Sequence, residues 1–515
     1  MIKRTKGKHQ PEIEEIKKRR GKGGRKKGIK KIPILLTPSP PPEGRGGWWG
    51  RGTHSRTCWF NNNQSLDAFS TMSVPRAVIK NAVPAMVAML MGLIYNLADT
   101  FFIGQTHDPY QVAAVSLATP VFLLFMAVGT IFGIGGTSVI SRALGEGRKE
   151  YAKKVCSFCM WSCVVVGLIM TVLFLAFMDP LLNLIGASEA TWEYAKEYLT
   201  LVSIGGVFVL ISNCFSNILR AEGQPNKAMI GQIIGNLLNV VLDPVMILGF
   251  GWQITGAAIA TVIGNFMAAA YYIAYFLRGQ STLSISLKDF SMKDKICSGV
   301  LVIGLPALLA SLLMSISQII MNSLMAGYGD MALAGIGVAM KVTMITGMLA
   351  MGIGQGIQPL LGYCVGAGTW ERFKKIMKFS LWFALLLGIA MTLLCYVFTD
   401  QIVSVFVTDP NAFAYGVEFA RILLSTSALF GVFYVMTNAL QAMGAAVPSL
   451  IINLSRQGLI YIPALFILKA LLGINGLVWA QPAADILSLI LAVVLYERYV
   501  RMLSSKAQEP VLVTA

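Results

Sequence analysis

Two stretches of the chain are alike enough to decide its architecture. Residues 133–154 read GIGGTSVISRALGEGRKEYAKK, and residues 352–375 read GIGQGIQPLLGYCVGAGTWERFKK. Both begin with Gly-Ile-Gly, continue through an apolar run to a Gly-x-Gly triplet, and end on a pair of lysines. The triplets begin at Gly145 and Gly366, and the distance between them, a little under half of the chain, is the repeat spacing. A long motif that returns at this distance indicates two copies of one large unit.

Other residues recur at the repeat spacing or within one position of it. They are Pro84-Ala85 with Pro306-Ala307, and Asn217, Ala221 and Gly223 with Asn438, Ala442 and Gly444. The repeat therefore extends over most of each half of the chain.

The composition defines the class of protein in which this repeat occurs. Of the 515 residues, 55% are hydrophobic and only 13% are charged, and the mean hydropathy is +0.66. These values exclude a water-soluble globular enzyme as well as a disordered or fibrous chain. We predict an all-α polytopic membrane protein whose apolar runs form twelve transmembrane helices. They lie near residues 82–103, 112–140, 155–178, 198–219, 228–249, 254–277, 298–325, 332–362, 379–399, 417–440, 450–469 and 474–496.

The number of spans fixes how the two copies are related. Each copy contains six spans, which is an even number, so both copies must cross the membrane in the same orientation. This predicts a parallel repeat: two six-helix lobes related by an axis along the membrane normal, with a central cleft between them. We place the first lobe at residues 72–290, the second at 291–500 and a short cytoplasmic tail at 501–515.

The distribution of basic residues predicts the orientation. Residues 1–71 hold 17 Lys and Arg against 5 Asp and Glu, so the net charge of +17 comes mainly from this tail. After residue 71, 20 of the 25 Lys and Arg residues fall on the tail side of the membrane or in every second loop. By the positive-inside rule, we expect both termini to be cytoplasmic and the chain to cross the inner (plasma) membrane many times.

The tail and the cysteines give little evidence of function. Residues 1–71 are Lys-, Arg-, Pro- and Gly-rich and cannot form a core, so we interpret them as a disordered extension, with contact to anionic lipid or RNA as the alternative. The spacing of Cys156, Cys159 and Cys163 suggests a metal site, but no histidine or second cysteine pair accompanies it within an apolar run. We predict no cofactor and no nucleic-acid partner.

Charged and amide side chains inside the spans are the candidates for function, because they are costly in a bilayer. Asp99 lies toward the end of span 1. Asn239 and Asp243 are four residues apart in span 5, so they share a helix face, and Pro244 removes a backbone hydrogen bond beside them. Such oxygen ligands suit a proton or Na⁺, and sequence does not choose between the two ions.

The second half carries a different set of polar residues. They are Gln318, Asn322, Lys341, Gln355 and Gln358, in its first two spans. We interpret them as a lining of the substrate cleft, with hydrogen bonding between helices as an equal alternative. Arg456 lies near a span end, where its guanidinium could reach the lipid headgroups, and Asp485 requires a basic partner that the sequence does not identify.

Several of these motifs resemble the multidrug and toxic compound extrusion (MATE) family of the flippase-containing MOP superfamily. The resemblance covers about residues 72–500. It rests on three segments: Val83-Pro84-Ala85 leading into Asp99-Thr100-Phe101-Phe102-Ile103-Gly104, Asn217-Ile218-Leu219-Arg220-Ala221-Glu222-Gly223, and Gly354-Gln355-Gly356-Ile357-Gln358-Pro359 followed by Gly366-Ala367-Gly368.

The resemblance implies a cation-coupling site in the first lobe. One branch of the family uses an Asp of span 1, an Asn and an Asp four apart in span 5, and a Thr of span 6. Asp99, Asn239, Asp243 and Thr261 match these positions, and they would be the Na⁺ ligands if coupling is to sodium. Other members place acidic ligands in the second lobe, where this chain has Gln318 in span 7 and, in span 10, a carboxylate only at the second residue of the predicted segment, Glu418.

The resemblance also implies the activity: Na⁺- or H⁺-coupled antiport that exports amphipathic, mostly cationic drugs by alternating access. Binding of the coupling ion would bend or repack span 1 and release drug outside. We expect a monomer, surrounded by membrane lipids, with small organic cations as its substrates and no enzymatic activity.

Three other functions are weighed against this one. A flippase for lipid-linked oligosaccharides of the same superfamily should have a strongly basic cleft for pyrophosphate, but the spans hold only Lys341 and Arg456 apart from Arg421 and Lys469, which we assign to the outer side of the membrane. A membrane-embedded enzyme would need a nucleophile with a base, or metal ligands, and the spans contain no histidine. A passive channel remains open on the sequence alone; saturation of flux and dependence on an opposing gradient would separate it from a carrier.

Overall fold

The computed structural model describes residues 69–508 except His107 and Thr408. The basic tail therefore lies almost entirely outside the described residues, and so does the last part of the carboxy-terminal tail. Within the described part all regular secondary structure is helical, with no strand. This confirms the predicted all-α membrane fold.

Six long helices form the first lobe. They are α1 (Val74–Gly104), α2 (Pro109–Gly145), α3 (Lys149–Ala176), α4 (Glu189–Ala221), α5 (Pro225–Gly249) and α6 (Gln253–Leu277). The central member is α4, which packs against α2, α3 and α6, while α1 packs against α5. A short helix, Met178–Leu184, connects α3 to α4.

Six further spans form the second lobe. They are α7 (Ile296–Ala326), α8 (Asp330–Gly366), α9 (Trp370–Val397), α10 (Pro410–Leu424 with Ser427–Ala442), α11 (Ala446–Leu472) and α12 (Ile474–Gln508). A short helix, Thr399–Phe406, lies between α9 and α10. The twelve spans of the described residues agree with the expected number, and the predicted lobe boundary at residue 290 falls in the linker between α6 and α7.

The tenth span differs from its prediction as one straight segment over 417–440. It begins earlier, at Pro410, and it bends by 41° between Leu424 and Ser427. The hydroxyls of Ser425 and Ser427 donate to backbone carbonyls of the preceding turn. Hydroxyls that compete for backbone carbonyls weaken a helix locally, which explains the break.

The recurring glycines end four helices in the same way. Gly147 and Gly368 follow α2 and α8, Gly223 and Gly444 follow α4 and α10, and each has a positive φ between +67° and +83°. The residue after each glycine donates its N–H to the carbonyl five residues earlier, as in a Schellman cap. A side chain at these positions would be strained, so the repeated Gly positions follow from repeated helix ends.

One end of the bundle is rich in basic residues, and we call it the basic face. It contains the start of α1, the end of α12 and the loops that follow α2, α4, α6, α8 and α10. The loops that follow α1, α3, α5, α7, α9 and α11 form the opposite face.

The two lobes touch through a pair of symmetry-related contacts at the basic face. A Cβ on Gly145 would collide with the carbonyl oxygen of Tyr363, and a Cβ on Gly366 would collide with that of Arg142. Gly366 follows Gly145 by the repeat spacing, and Tyr363 follows Arg142 by the same spacing. The ends of α2 and α8 therefore cross with exchanged partners, as expected for a parallel repeat about an axis along the bundle.

Further glycines extend this contact into a seam between the lobes. A Cβ on Gly352 would lie 2.6 Å from the Met86 Cα, and one on Gly356 would lie 2.6 Å from the Ala82 Cα, so α8 packs directly on α1. On the other side, Gly304 of α7 approaches the Ile131 backbone of α2. The glycines that bring the lobes into backbone contact all lie in the half of the bundle toward the basic face.

Burial along α1 follows the same division. Seven of its buried residues lie between Ala77 and Ala88, and only Leu93 and Ile103 are buried beyond that point. The lobes are thus packed together toward the basic face, and the rest of α1 is more exposed.

The linker between the lobes is fastened to the first lobe by a buried carboxylate. Glu222, just after α4, accepts hydrogen bonds from the Ser281 hydroxyl at 2.8 Å, the Thr282 hydroxyl at 2.9 Å and the Thr282 N–H. The equivalent position of the second lobe, one repeat spacing later, is Met443. Because only the first lobe is followed by this linker, only its α4 end needs an anionic acceptor.

Glu222 should make stability depend on pH. Burial raises the pKa of its carboxyl from 4.5 to about 7. The folded protein therefore holds this proton more tightly than the unfolded chain, and it loses stability as pH rises from about 4.5 to about 7. Glu222→Gln lacks this loss, so wild type should fall in melting temperature relative to the variant between pH 5 and pH 8, measured in nanodiscs. An equal difference at both pH values would contradict this role.

Candidate cation site in the first lobe

The structure brings the four predicted cation ligands together between α1, α5 and α6. Asp99 lies five residues before the end of α1, and Asn239 and Asp243 are in the last turns of the α-helical part of α5. The Asn239 amide donates to the Thr261 hydroxyl of α6 at 3.3 Å. The carboxyls of Asp99 and Asp243 lie close enough to interact electrostatically.

A pair of glycines lets α5 and α6 approach closely enough for this contact. Gly235 is one turn before Asn239, and Gly264 is three residues after Thr261. A Cβ on Gly235 would lie 2.8 Å from the Gly264 carbonyl oxygen, and a Cβ on Gly264 would lie 2.6 Å from the Gly235 carbonyl oxygen. Both are shorter than a normal contact, so any side chain here would push the helices apart.

The backbone beside Asp243 departs from α-helical geometry. Residues Pro244–Gly249 form a π-helix that continues α5 to its end. Pro244 cannot donate the hydrogen bond that an α-helix requires at that position, which favours a local rearrangement of the helix. The sequence indicated a disturbance here, and the structure gives its form as a π-helical turn.

The site is rich in oxygens that lack a donor. Thr261, Asn239 and Asp243 are at most 2% exposed. Four buried oxygens, Asp99 Oδ1, Asn239 Oδ1 and both carboxylate oxygens of Asp243, have no hydrogen-bond partner among the described residues. A buried polar atom without a partner costs roughly 1–3 kcal/mol, and more when it is charged.

Two tyrosines complete the site and were missed by the sequence analysis. The phenols of Tyr95 and Tyr198 both lie near Asp99, Asp243 and Thr261. Tyr95 precedes Asp99 by four residues, so helical spacing alone could have placed it on the same face. Tyr198 belongs to α4, and nothing in the sequence connects it with α1 or α5.

The donor set fits a small hard cation or a proton. Two carboxylates, an amide oxygen and a hydroxyl are ligands that Na⁺ accepts, and a proton on a carboxyl would equally remove a buried charge. Among the described residues no group of three or more His, Cys, Asp or Glu is arranged to hold a metal. Cys156, Cys159 and Cys163 do not form such a group either, and they are buried free thiols.

The polar residues of the second half do not form one cluster. Gln318 and Asn322 are exposed on α7, and the Lys341 ammonium lies 5.1 Å from the centre of the Phe406 ring. Gln355 is half-buried and Gln358 is 1% exposed, and both flank Gly356 at the seam with α1. Their common role in a substrate cleft stays a prediction.

The structure pairs Arg456 and Asp485, the two ionisable residues of the spans that had no assigned role. Arg456 does not extend toward the lipid headgroups: its Nε donates to Asp485 Oδ1 at 2.8 Å, and the two side chains are 8% and 3% exposed. The missing partner of Asp485 is thus Arg456 of the preceding span, α11.

Comparison with known proteins agrees with this architecture. The MatE family model matches residues 84–245 and again residues 306–467, so its two matches begin at the paired prolines Pro84 and Pro306. The multidrug export protein MepA of Staphylococcus haemolyticus is 31% identical over 448 residues, covering 86% of this chain and 98% of its own length. MepA of Staphylococcus aureus (strain MSSA476) is 30% identical, covering 84% and 96%.

A solved structure supports the same relationship. It is described as the outward-facing conformation of a multidrug resistance MATE family transporter of the MOP superfamily. It is 25% identical, covers 86% of this chain and 98% of its own, and superposes with a TM-score of 0.81.

The duplicated bundle and these relatives define a polytopic membrane transporter and not an enzyme. The chain belongs to the MatE family, the multidrug and toxic compound extrusion transporters.

Proposed function

We propose that this protein is an antiporter that exports amphipathic, mostly cationic organic compounds in exchange for Na⁺ or H⁺. The observation that carries the proposal is the set of four unpartnered oxygens at Asp99, Asn239 and Asp243. In a low-dielectric bundle, two neighbouring carboxylates need a proton or a cation to balance them. An ion that enters and leaves this site can drive transport, and the relatives named multidrug export proteins support the direction and the substrate class.

The arrangement of the lobes supports alternating access. Tight glycine contacts join the lobes near the basic face, where Gly366 meets Arg142 and Gly356 meets Ala82. The part of α1 that carries Asp99 lies beyond this seam. The conformation is therefore closed toward the basic face, and transport requires the seam to open in a second conformation.

We place the basic face in the cytoplasm of the cell whose inner (plasma) membrane holds the protein. The concentration of Lys and Arg on that face supports this orientation. Both termini are then cytoplasmic, the structure is closed to the cytoplasm, and the cation site faces the outer half of the bilayer. One chain contains both lobes, so a monomer forms the whole pathway, with lipids as its surroundings.

Coupling acts through α1 in this proposal. Asp99 connects the outer part of α1 to α5 and α6, while Ala82 and Met86 connect its inner part to α8. A cation or proton at Asp99 and Asp243 draws the outer part of α1 toward α5. The cavity of the first lobe changes shape as a result, and drug is released outside.

Basic groups do not support the flippase alternative. The Lys341 ammonium is directed at the Phe406 ring, and Arg456 is paired with Asp485. Neither is free to bind a pyrophosphate in this conformation.

Export from cells tests the proposal. Cells that express the protein should lose a fluorescent organic cation such as ethidium faster than cells without it. Replacing external Na⁺ with K⁺ should stop this export if sodium is the coupling ion, and a protonophore should stop it if the proton is. Export that continues under both treatments would overturn coupling by either ion.

Gly264→Ala should weaken ion binding without removing any ligand. The added Cβ lies 2.6 Å from the Gly235 carbonyl oxygen, so α5 and α6 must separate and the Asn239–Thr261 hydrogen bond lengthens. We expect the concentration of coupling ion that gives half-maximal export to rise about 3- to 10-fold, by the loss of roughly 1 kcal/mol. Gly104→Ala is the control, because nothing lies within 4 Å of its Cβ. Equal ion dependence in both variants would contradict the role of the glycine pair.

A further inference from the structure

The second lobe contains a carboxylate whose surroundings are the opposite of those in the first lobe. Asp485 Oδ1 accepts from Arg456 Nε at 2.8 Å and from the Gln481 amide at 2.9 Å, and Asp485 Oδ2 accepts from the Thr426 hydroxyl at 3.2 Å. Both of its oxygens therefore have donors, whereas both oxygens of Asp243 have none among the described residues.

Aromatic rings surround the guanidinium of Arg456. Its central carbon lies 4.8 Å from the centre of the Phe430 ring, 5.0 Å from that of Phe433 and 5.8 Å from that of Tyr434. A carboxylate together with several ring faces is the environment that binds an organic cation best. Here the cation is a side chain of the same protein.

The repeat places this cluster one helical turn from the cation site of the first lobe, because Arg456 and Asp485 follow Gly235 and Gly264 by the repeat spacing. Gln481 of α12 follows Thr261 of α6 by the repeat spacing, to within one position. The fifth helix of each lobe contains a π-helical turn, Pro244–Gly249 in α5 and Ser455–Leu459 in α11. In α5 the π-helix begins directly after Asp243, and in α11 it contains Arg456. The two π-turns are not at equivalent positions of the repeat, because Ser455 follows Pro244 by less than the repeat spacing, but each lobe has a charged side chain of its fifth helix in or directly beside its π-turn.

Stability alone does not account for the pair. Replacing a buried ion pair with apolar side chains of similar volume is often neutral or stabilising. A guanidinium fixed to α11 does have one property that a free ion lacks: it is held beside Asp485 at a high effective concentration, so dissolved cations compete with it poorly.

We propose that Arg456 is a resident cation that permanently fills a cation site of the second lobe formed by Asp485, Phe430 and Phe433. Asp485 then exchanges no ion, and only the first lobe couples transport to an ion gradient. The conclusion that only the first lobe couples transport rests on the proposed function. The conclusion that Arg456 fills the second-lobe site does not.

The test uses the full chain in nanodiscs with the first-lobe site removed by Asp99→Asn and Asp243→Asn. In this background, Arg456→Ala opens the site, and ethylguanidinium is the probe. We expect a saturable rise in melting temperature with ethylguanidinium, because a ligand of the folded state stabilises it. Ethylurea, which has nearly the same shape and no charge, should give no rise. Adding Asp485→Asn to the Arg456→Ala protein should abolish the response to ethylguanidinium. The Asp99→Asn, Asp243→Asn protein that keeps Arg456 should not respond to it.

Three results would overturn the proposal. They are an equal response to ethylurea, no response to ethylguanidinium in the folded Arg456→Ala protein, or a cation response with Arg456 intact that disappears with Asp485→Asn. Tyr434 and Tyr461 also face this cluster, so all measurements are made at one pH.

A second variant keeps the proposal testable if Arg456→Ala does not fold. Arg456→Gln retains most of the side-chain volume and leaves space for a bare ion, so Na⁺ is its probe, with choline at equal ionic strength as the control. A melting temperature that rises with Na⁺ supports the proposal, and one that is the same in both salts overturns it. Neither the ethylguanidinium test nor the Na⁺ test measures export. A negative result in them therefore leaves the antiport proposal unaffected, and a failure of antiport leaves the filled second-lobe site unaffected.

Discussion

Asp99→Asn should reduce gradient-driven export to below about one tenth of the wild-type rate, a loss of roughly 1.4 kcal/mol or more. The amide has nearly the size of the carboxyl, but it cannot take up a proton or balance the charge of a cation. Because Asp99 Oδ1 is buried without a donor, removal of its charge should not destabilise the folded protein. The measurement is efflux of a fluorescent organic cation from cells in which both proteins are equally abundant.

Asp179→Asn is the matched control for this substitution. Asp179 is also an aspartate near the opposite face, but its side chain is 65% exposed and pairs with Lys196 at 3.2 Å. A surface ion pair of this kind contributes little, so export should stay at the wild-type rate. Full export by Asp99→Asn at normal abundance would show that the first-lobe site does not couple transport.

Gly356→Leu should abolish export by holding the seam open. Its Cβ would lie 2.6 Å from the Ala82 Cα and 2.7 Å from the Asn81 carbonyl oxygen, and both are backbone atoms that cannot move aside by a change of rotamer. The lobes must separate toward the cytoplasm, which removes the conformation described here. We expect export to fall about tenfold or more, with the protein still inserted in the membrane.

A cysteine at Thr137 reports this opening directly. Thr137 is 2% exposed and lies one turn from Ser141, which meets Gly362 across the seam. In a cysteine-free background and inside-out vesicles, Gly356→Leu should make Thr137→Cys react faster with an impermeant thiol reagent. Gly337→Leu in the same helix is the control, because nothing lies within 4 Å of its Cβ. Unchanged labelling and unchanged export in Gly356→Leu would contradict the role of the seam as a gate.

The sequence was sufficient for the fold because the fold repeats. Apolar runs of spanning length indicated the twelve helices, and the even number of spans per repeat set the parallel relation of the lobes. The glycines that revealed the repeat have clear structural reasons: Gly147 and Gly368 adopt positive φ, and Gly145 and Gly366 allow α2 and α8 to cross. Sequence could show that these positions recur, but not which backbone each one approaches.

The candidate site was predictable to a different extent in each lobe. Asn239 and Asp243 share a face by helical spacing alone. Their meeting with Asp99 and Thr261 depends on tertiary packing, which the sequence indicated only through the resemblance to a family. Tyr198 was not predictable, because its proximity to Asp99 arises from the position of α4 between other helices.

Arg456 shows why position in the sequence misleads about charged groups in a membrane. Near the end of an apolar run, an arginine is expected to reach the headgroups. The structure instead directs it inward: Arg456 lies in the π-helical turn Ser455–Leu459, and it meets Asp485 of α12 and three rings of α10 that follow the bend of that helix. A hydropathy pattern contains no signal for the π-helical turn or for the bend of α10.

The central claim is that an ion gradient drives the movement of an organic cation through this protein. It is tested most directly with purified wild-type protein in proteoliposomes that hold equal concentrations of a fluorescent organic cation on both sides. A Na⁺ gradient and a pH gradient are imposed separately, each in both directions, with the membrane potential clamped. We predict that one of the two gradients moves the organic cation against its own gradient and that the flux reverses when that gradient is reversed. No net movement of any cation tried under either ion gradient would contradict antiport, and lipid-linked substrates would then be tested.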